Sequence, residues 1–246
     1  MIERFLPIAG SAHAADLDRV LFGIHGHMAV QAIAWGFFFV YVLVRFRQGA
    51  HPRAQRVGLK PLVPALAIAG VIAGDALLLA TTALPAWFAR GAAPSGQPAP
   101  LEIRVVAEQF AWNIHYPGPD GKFGRTAQEF IGAANPLGID RRDADAQDDI
   151  GMLNTLMLPL GRPVIVHLSS RDVIHSFTLN EMRVRQDATP GITTRTWFTP
   201  IVAGRWDIAC SQLCGLGHYR MRGEYTVMSA TEWEQWLSSE VRLLSR

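Results

Sequence analysis

Ala209-Cys210-Ser211-Gln212-Leu213-Cys214-Gly215-Leu216-Gly217-His218-Tyr219-Arg220-Met221 holds both cysteines of the chain, and a histidine and a methionine follow within seven residues of the second. Two thiolates, an imidazole and a thioether make a soft donor set, which selects copper over hard ions such as Mg²⁺ or Ca²⁺. A mononuclear blue-copper site takes one Cys, two His and a weak axial Met. Here a second Cys is added, and two thiolates on one short loop can bridge two metal ions. The stretch therefore reads as a binuclear copper centre that still lacks one imidazole. Two plainer readings compete. The cysteines could form a disulfide in an oxidising compartment, or join two histidines around zinc, although zinc has no use for Met221 at this spacing.

The missing imidazole has three candidates ahead of the loop, His115, His167 and His175. His167 falls in an apolar alternating run, where a core or edge-strand role is expected, and His115 sits beside aromatics. His175, in Asp172-Val173-Ile174-His175-Ser176-Phe177, is placed at a strand end just before a turn-rich segment. A metal site on a β-sandwich draws ligands from one strand end and one loop, so His175 is the choice.

Around this loop the sequence alternates. Leu101-Glu102-Ile103-Arg104-Val105, Pro163 to Leu168 and Gly223 to Met228 have strand periodicity, with turn signals such as Tyr116-Pro117-Gly118 and Thr189-Pro190-Gly191 between them. An antiparallel sandwich or barrel is expected. Asn135 to Ile150, rich in Asp, reads as a surface loop. The tail 231–246 has helical spacing of Trp233, Trp236 and Leu237, a face that packs on the domain.

Toward the N-terminus the composition changes. Hydrophobic residues make up 49% of the 246, high for a fully soluble chain, and this points to a membrane-embedded part. Residues 24–44 and 61–88 are each nearly uncharged and long enough to cross roughly 30 Å of hydrocarbon as helices. Between them Arg45, Arg47, Arg53, Arg56 and Lys60 stand without an acid. The positive-inside rule makes that loop cytoplasmic and puts both ends outside. The expected organisation is an outer N-terminal segment 1–23, without a clear signal-peptide pattern, and a transmembrane hairpin 24–89. A Pro/Gly/Ala-rich linker 90–100, the β domain 101–230 and the C-terminal helix follow. Asp75 lies inside the second span, where an ionisable group is costly unless it meets protein or water. A proton pathway, a contact with a neighbouring membrane subunit, and a protonated Asp bonded within a helix bundle all remain open. Each implies a partner in the membrane. The net charge of +2 gives no reason to expect a nucleic-acid partner, and without C-x-x-C-H no fused haem is expected.

Taken together, Asp172 to Phe177, Arg185-x-Asp187-Ala188-x-Pro190-Gly191 and Cys210-x-x-x-Cys214-Gly215-x-x-His218-x-x-Met221 resemble subunit II of haem–copper cytochrome c oxidases. Two transmembrane helices ahead of a β domain are similar to that family as well. The resemblance implies an all-β, cupredoxin-like Greek-key domain with a dinuclear copper A centre on the periplasmic face of a bacterial inner membrane. Cys210 and Cys214 would bridge two coppers, His175 and His218 would each bind one, Met221 would be a weak ligand, and the Gln212 carbonyl would reach the other copper. The implied activity is that of the electron-accepting subunit of a proton-translocating oxidoreductase. Electrons would come from cytochrome c or a similar donor and pass to the haem of subunit I, where O₂ is reduced; no oxygen chemistry belongs to this chain. Other oxidase subunits and membrane lipid would be its further partners.

The chain departs from that family at three places. Gln212 replaces the usual Glu, so the family's Mg²⁺ site at the subunit I junction is expected to be weakened or absent, an amide being a poorer ligand for a hard ion. Phe110 stands where the family has its electron-accepting Trp, which leaves Phe110, Trp112 or the His218 edge as routes. Trp112 is also a natural core residue. Asp75 lies deeper than the Glu the family places early in its second helix. In the family, acids around the copper domain attract a lysine-ringed cytochrome, yet from Leu101 onward acids barely outnumber Lys and Arg, and Arg220 and Arg222 lie beside the loop. Two alternative functions are a copper-delivery protein, for which one membrane anchor would be expected, and the copper A domain of a nitrous oxide reductase, whose propeller domain has no room here.

Overall fold

The computed structural model describes residues 6–47, 49, 58, 60–91, 93, 96 and 98–244. They belong to two compact units, Asp16–Ala92 and Met1–Ala15 with Ala93–Arg246. Arg53 and Arg56 of the basic loop, and Ala92, Pro94, Ser95 and Gln97 of the linker, lie outside the described residues, as do residues 1–5 and 245–246 at the ends.

In the first unit α1 spans Ala14–Arg45. It starts ten residues before the apolar run at Ile24. Ala14 and Ala15 favour helix, and Asp16 in the first turn meets the positive end of the helix dipole. The second apolar stretch forms α2, Leu62–Leu78, then a π turn, Leu79–Ala83, and α3, Leu84–Ala89. Pro85 has no N–H for the Thr81 carbonyl, and the helix widens there. The Thr81 and Thr82 hydroxyls donate to the carbonyls of Leu77 and Leu78, each at 2.7 Å. Ala14–Arg45 and Leu62–Ala89 are both long and apolar enough to cross a membrane. Polar groups meet between them: His27 Nε2 lies 2.8 Å from Asp75 Oδ1 and 2.7 Å from the Gln31 amide.

The second unit is a sandwich of two five-stranded sheets. Its strands are β1 Leu101–Glu108, β2 Ala111–Tyr116, β3 Ile150–Leu153, β4 Thr155–Pro159, β5 Val164–Ser170, β6 His175–Leu179, β7 Val184–Ala188, β8 Thr194–Phe198, β9 Gly204–Cys210 and β10 Arg222–Met228. One sheet runs β3-β2-β1-β5-β8 and the other β4-β10-β9-β6-β7. Alternation sets the faces: Ile103, Val105 and Ala107 of β1, Val164, Val166 and Leu168 of β5, and Tyr225 and Val227 of β10 point into one core. The pairing is not purely antiparallel, as the turn signals had implied. β1 runs parallel to β5 and β10 parallel to β4. Neither pair is joined by a hairpin, so no tight turn forces the strands to oppose.

Three further pieces close this unit. α4, Ala230–Leu244, is started by a capping box in which the Glu232 carboxylate accepts from the Ser229 N–H at 2.9 Å and the Ser229 hydroxyl accepts from the Glu232 N–H at 3.3 Å. It lays Trp233 and Trp236 against Tyr116. At the other end of the chain the Gly10 N–H donates to Glu181 and the Ile201 N–H to the Gly10 carbonyl, both at 2.8 Å, tying the N-terminal segment to the sandwich. The acidic stretch from Asn135 to Ile150 is more than a surface loop. Leu137, Ile139 and Ala146 form a small core of their own, and Asp140 and Asp149 are buried. Asp140 pairs with Arg142 and Arg125, and Asp149 with His115. Charges that cancel in pairs can enter an interior that lone ones cannot.

Candidate metal centre

β6 begins at His175 and β9 ends at Cys210, and the two strands pair side by side, Phe177 opposite Cys210. The sheet therefore delivers an imidazole and a thiol to one edge. Beyond Cys210 the loop is pinned to the same sheet: the Ser211 N–H donates to the Ser176 carbonyl at 3.0 Å, and the Thr178 hydroxyl to Ser211 Oγ at 2.8 Å. Gly215 has φ of 126°, and a Cβ there would stand 2.6 Å from the Gln109 amide nitrogen. At Gly217 a Cβ would stand 2.5 Å from the Phe110 ring. Glycine is needed at both positions for the loop to lie this close to its base.

The donors form a continuous set of contacts. Cys210 Sγ and Cys214 Sγ are 3.8 Å apart, and Cys210 Sγ is 3.2 Å from the Gln212 carbonyl oxygen. Cys214 Sγ is 3.6 Å from His218 Nδ1 and 3.6 Å from Met221 Sδ, which is itself 3.1 Å from His175 Nδ1. The ligand atoms of His175, Cys210 and Cys214 all lie within 4.8 Å of one another. Both cysteines are free thiols; a disulfide would need sulfurs about 2.05 Å apart, so that reading of the pair does not hold.

His175 is fully buried and Cys214 and Met221 nearly so. Burial pushes the Cys214 thiol up to about 11, and the adjoining Cys210 sulfur adds to the rise. A buried thiol raised in this way gives up its proton more readily beside a cation. The donor set thus fits a soft metal ion, and copper by preference over a hard one.

A surrounding layer orients these donors. Asp172 Oδ1 lies 2.9 Å from His175 Nε2, leaving Nδ1 on the sulfur side. The same carboxylate accepts from the Gln109 N–H at 2.7 Å and the Val173 N–H at 2.6 Å. Burial works to raise the Asp172 carboxyl, but the His175 contact and the two N–H donors outweigh it and hold the group below its ordinary range. The Gln109 side-chain amide donates to the Cys214 carbonyl at 2.7 Å. Trp112, fully buried, stands edge-on to His175 and Phe177. Phe110 is half-buried under Gly217, with the Arg220 guanidinium 5.9 Å from its ring centre.

The other two histidines serve elsewhere. His115 Nε2 bonds Asp149 at 2.7 Å in the interior. His167 does not take the core or edge-strand role expected of it: β5 lies between β1 and β8, and the ring faces outward 3.0 Å from Glu102. Neither Asp172 nor Gln109 had been singled out from the sequence. Asp172 sits three residues before His175, a usable signal for a carboxylate behind a histidine ligand.

Comparison with known proteins bears on this geometry. Residues 101–224 match the family described as cytochrome c oxidase subunit II, periplasmic domain. The chain is 32% identical over 239 residues to the alternative cytochrome c oxidase subunit 2 of Bradyrhizobium diazoefficiens, covering 95% of this chain and 83% of that protein. It is 31% identical over 165 residues to cytochrome c oxidase subunit 2 of Thermostichus vulcanus, covering 66% of this chain and 41% of that one. Among solved structures, the periplasmic domain of cytochrome oxidase subunit II from Bradyrhizobium japonicum is 28% identical, with a TM-score of 0.45, covering 62% of this chain and 99% of that chain.

Proposed function

Because the chain belongs to the cytochrome c oxidase subunit II family, a subunit of a haem–copper oxidase, we propose that it accepts electrons from cytochrome c or a similar donor. It would pass them to the haem of subunit I for O₂ reduction coupled to proton translocation. The observation that carries this reading is the sulfur pair, buried at Cys214 and half-buried at Cys210, with His175 Nδ1, His218 Nδ1, Met221 Sδ and the Gln212 carbonyl around it. Cys210, Cys214, His175, His218, Met221 and the Gln212 carbonyl are the groups that would hold a dinuclear copper centre. When bound, such a pair supplies a one-electron couple shared over several metal–sulfur bonds.

The chain's own residues hold that geometry still. Asp172 keeps one face of the His175 ring occupied so that the other faces the sulfurs, and Gln109 clamps the loop at the Cys214 carbonyl. Fixed partners behind the ligands keep their positions constant whatever the charge at the centre. Phe110 and Trp112 are the proposed electron-accepting side chains. Phe110 is the nearer to solvent and lies directly under the loop. The neutral Gln212 side chain is a poor partner for Mg²⁺, so any such site at the subunit I junction would be weakened or absent.

The metal-bearing domain is taken as 101–230 on the periplasmic side, tethered through 90–100 to an inner-membrane hairpin within 24–89. A delivery protein and a nitrous oxide reductase domain are not favoured, since the match is to the oxidase subunit over nearly the whole chain. The test is pre-steady-state reduction of the purified oxidase by reduced cytochrome c. Rapid bleaching of the copper absorption before haem reduction is expected, and its loss in Cys214→Ser. Haem reduction at full rate in Cys214→Ser would refute the assignment.

A further inference from the structure

Between α1 and the helix that follows the π turn lies a cavity of about 270 Å³, walled by Val20, Pro85, Ala86 and Ala89. Small side chains on one wall, next to the wider π turn, leave space that larger residues would fill. Asp16 and Arg19 also line it, and both side chains stay exposed, so its polar end is open. Ala89 is the last residue of α3, and the adjoining Trp87 and Phe88 are 76% and 73% exposed. Large aromatics stand in this way where hydrocarbon meets lipid headgroups.

The polar groups of this cavity come in opposite charges. Arg19 Nη1 lies 2.9 Å from Asp16 Oδ1, a bond that engages one guanidinium nitrogen and one carboxylate oxygen. The rest of the guanidinium fork suits a phosphate, and the second carboxylate oxygen can take a further donor. Thr81 and Thr82 also line the cavity and have given their protons to the Leu77 and Leu78 carbonyls. Toward a ligand their oxygens can therefore only accept. An occupant that satisfies all four carries a phosphate and an N–H cation close together. Phosphatidylethanolamine does, with two carbons between phosphate and primary ammonium. The ammonium of a choline lipid has no N–H, and a glycerol headgroup has no cation. No single protein side chain carries both charges. The space is below the roughly 300–1,000 Å³ that encloses a drug-sized ligand, so it takes a headgroup and leaves the acyl chains in the bilayer.

Resting on the membrane hairpin proposed above, we infer that this cavity binds the headgroup of a phosphatidylethanolamine, with Arg19 on its phosphate and Asp16, Thr81 and Thr82 on its ammonium. The lipid fills the gap that the π turn opens between the two helices. The acid and the base, one helical turn apart, select a zwitterion whose cation can donate hydrogen bonds.

The experiment uses the whole purified oxidase, stripped of bulk lipid in detergent and offered one probe at a time. The probes are phosphatidylethanolamine, phosphatidylcholine and phosphatidylglycerol with the same acyl chains, and native mass spectrometry counts the lipids each complex keeps. Sites elsewhere on the complex are subtracted with Ala86→Leu/Ala89→Leu, which fills the cavity and leaves both charges in place. Wild type is expected to keep one more phosphatidylethanolamine than this variant. Its affinity at that site is about tenfold higher than for phosphatidylcholine, the scale of one charge-assisted hydrogen bond. Arg19→Gln loses the extra lipid and Arg19→Lys keeps part of it; this pair also serves if the filled variant does not assemble. Equal retention of the ethanolamine and choline lipids by wild type would overturn the inference, and this arm needs no variant. So would an unchanged count in the filled variant, or a neighbouring subunit's side chain seated in the cavity in a structure of the whole oxidase. Release of the chain from membranes by alkaline carbonate without detergent would instead defeat the membrane hairpin itself.

Discussion

Asp172 is the residue whose removal best separates orientation of a ligand from ligation itself. Asp172→Ala leaves the His175 Nε2 without its 2.9 Å partner, and the Gln109 and Val173 N–H groups without theirs at 2.7 and 2.6 Å. The two backbone donors are in exposed surroundings, where water replaces the carboxylate at little cost. His175 is fully buried, so its lost bond carries the effect, about 1–3 kcal/mol for an unsatisfied interior group. The side chain of Asp172 is itself 31% exposed, which admits some water and puts the expected value toward the lower end. For the metal, loss of a carboxylate behind a histidine ligand costs ~10–100-fold in affinity. The assay is copper retention by the purified oxidase against a competing chelator, alongside the thermal midpoint for loss of the copper absorption. Asp172→Asn keeps an oxygen for His175 and should fall between wild type and Asp172→Ala. Wild-type retention in Asp172→Ala, or a worse result for Asp172→Asn than for Asp172→Ala, would refute the reasoning.

Other changes probe the packing and the charges. Gly217→Ala drives a methyl to 2.5 Å from the Phe110 ring and should destabilise the domain by ~1–3 kcal/mol, seen as a lower melting temperature; an unchanged one would show that the loop stands off its base. Trp233→Ala empties a buried contact with Tyr116 and should cost ~3–5 kcal/mol in denaturant unfolding; a loss under about 1 kcal/mol would mean α4 merely rests on the sandwich. Asp140 is held well below the usual carboxylate range by hydrogen bonds from Arg142 and Arg125. Its folded form therefore binds a proton less readily than the unfolded chain, so its stabilisation is complete above the ordinary Asp range and fades as pH falls below about 4. Asp140→Asn should flatten that acid dependence, measured by unfolding at successive pH values, and an equally steep profile would count against it. In the helical unit, Asp75→Leu removes the partner of His27 and should lower the amount of oxidase subunits co-purifying with the chain, with Asp75→Asn retaining them. Equal recovery with leucine would show that no membrane partner reads this polar pair.

Local features of this molecule are legible in the residues and distant ones are not. Cys210, Cys214, His218 and Met221 are close in sequence, so their chemistry shows in their spacing; His175 does lie at a strand boundary, but it opens β6 after the bend at 171–173 rather than closing a strand ahead of a turn-rich segment. The Gln109–Asp172 bond joins residues 63 apart and follows only from the parallel run of β1 beside β5. The same holds for the tie from Gly10 to Glu181 and Ile201, where nothing in a small-residue segment names its partner. Asp140 and Asp149 read as solvent-facing charges because their compensating Arg142, Arg125 and His115 are recognisable as partners only once the chain is folded. The start of α1 shows the same division between kinds of signal. Hydropathy marks the lipid-crossing stretch, whereas propensity and the Asp16 charge carry the helix back to Ala14.

The most direct measurement is a copper count on the purified protein combined with its electron paramagnetic resonance spectrum. Two coppers for each chain with one unpaired electron spread equally over both is the expected result. A single copper localised on one sulfur, or a covalent bond joining Cys210 to Cys214 in the active protein, would contradict the account.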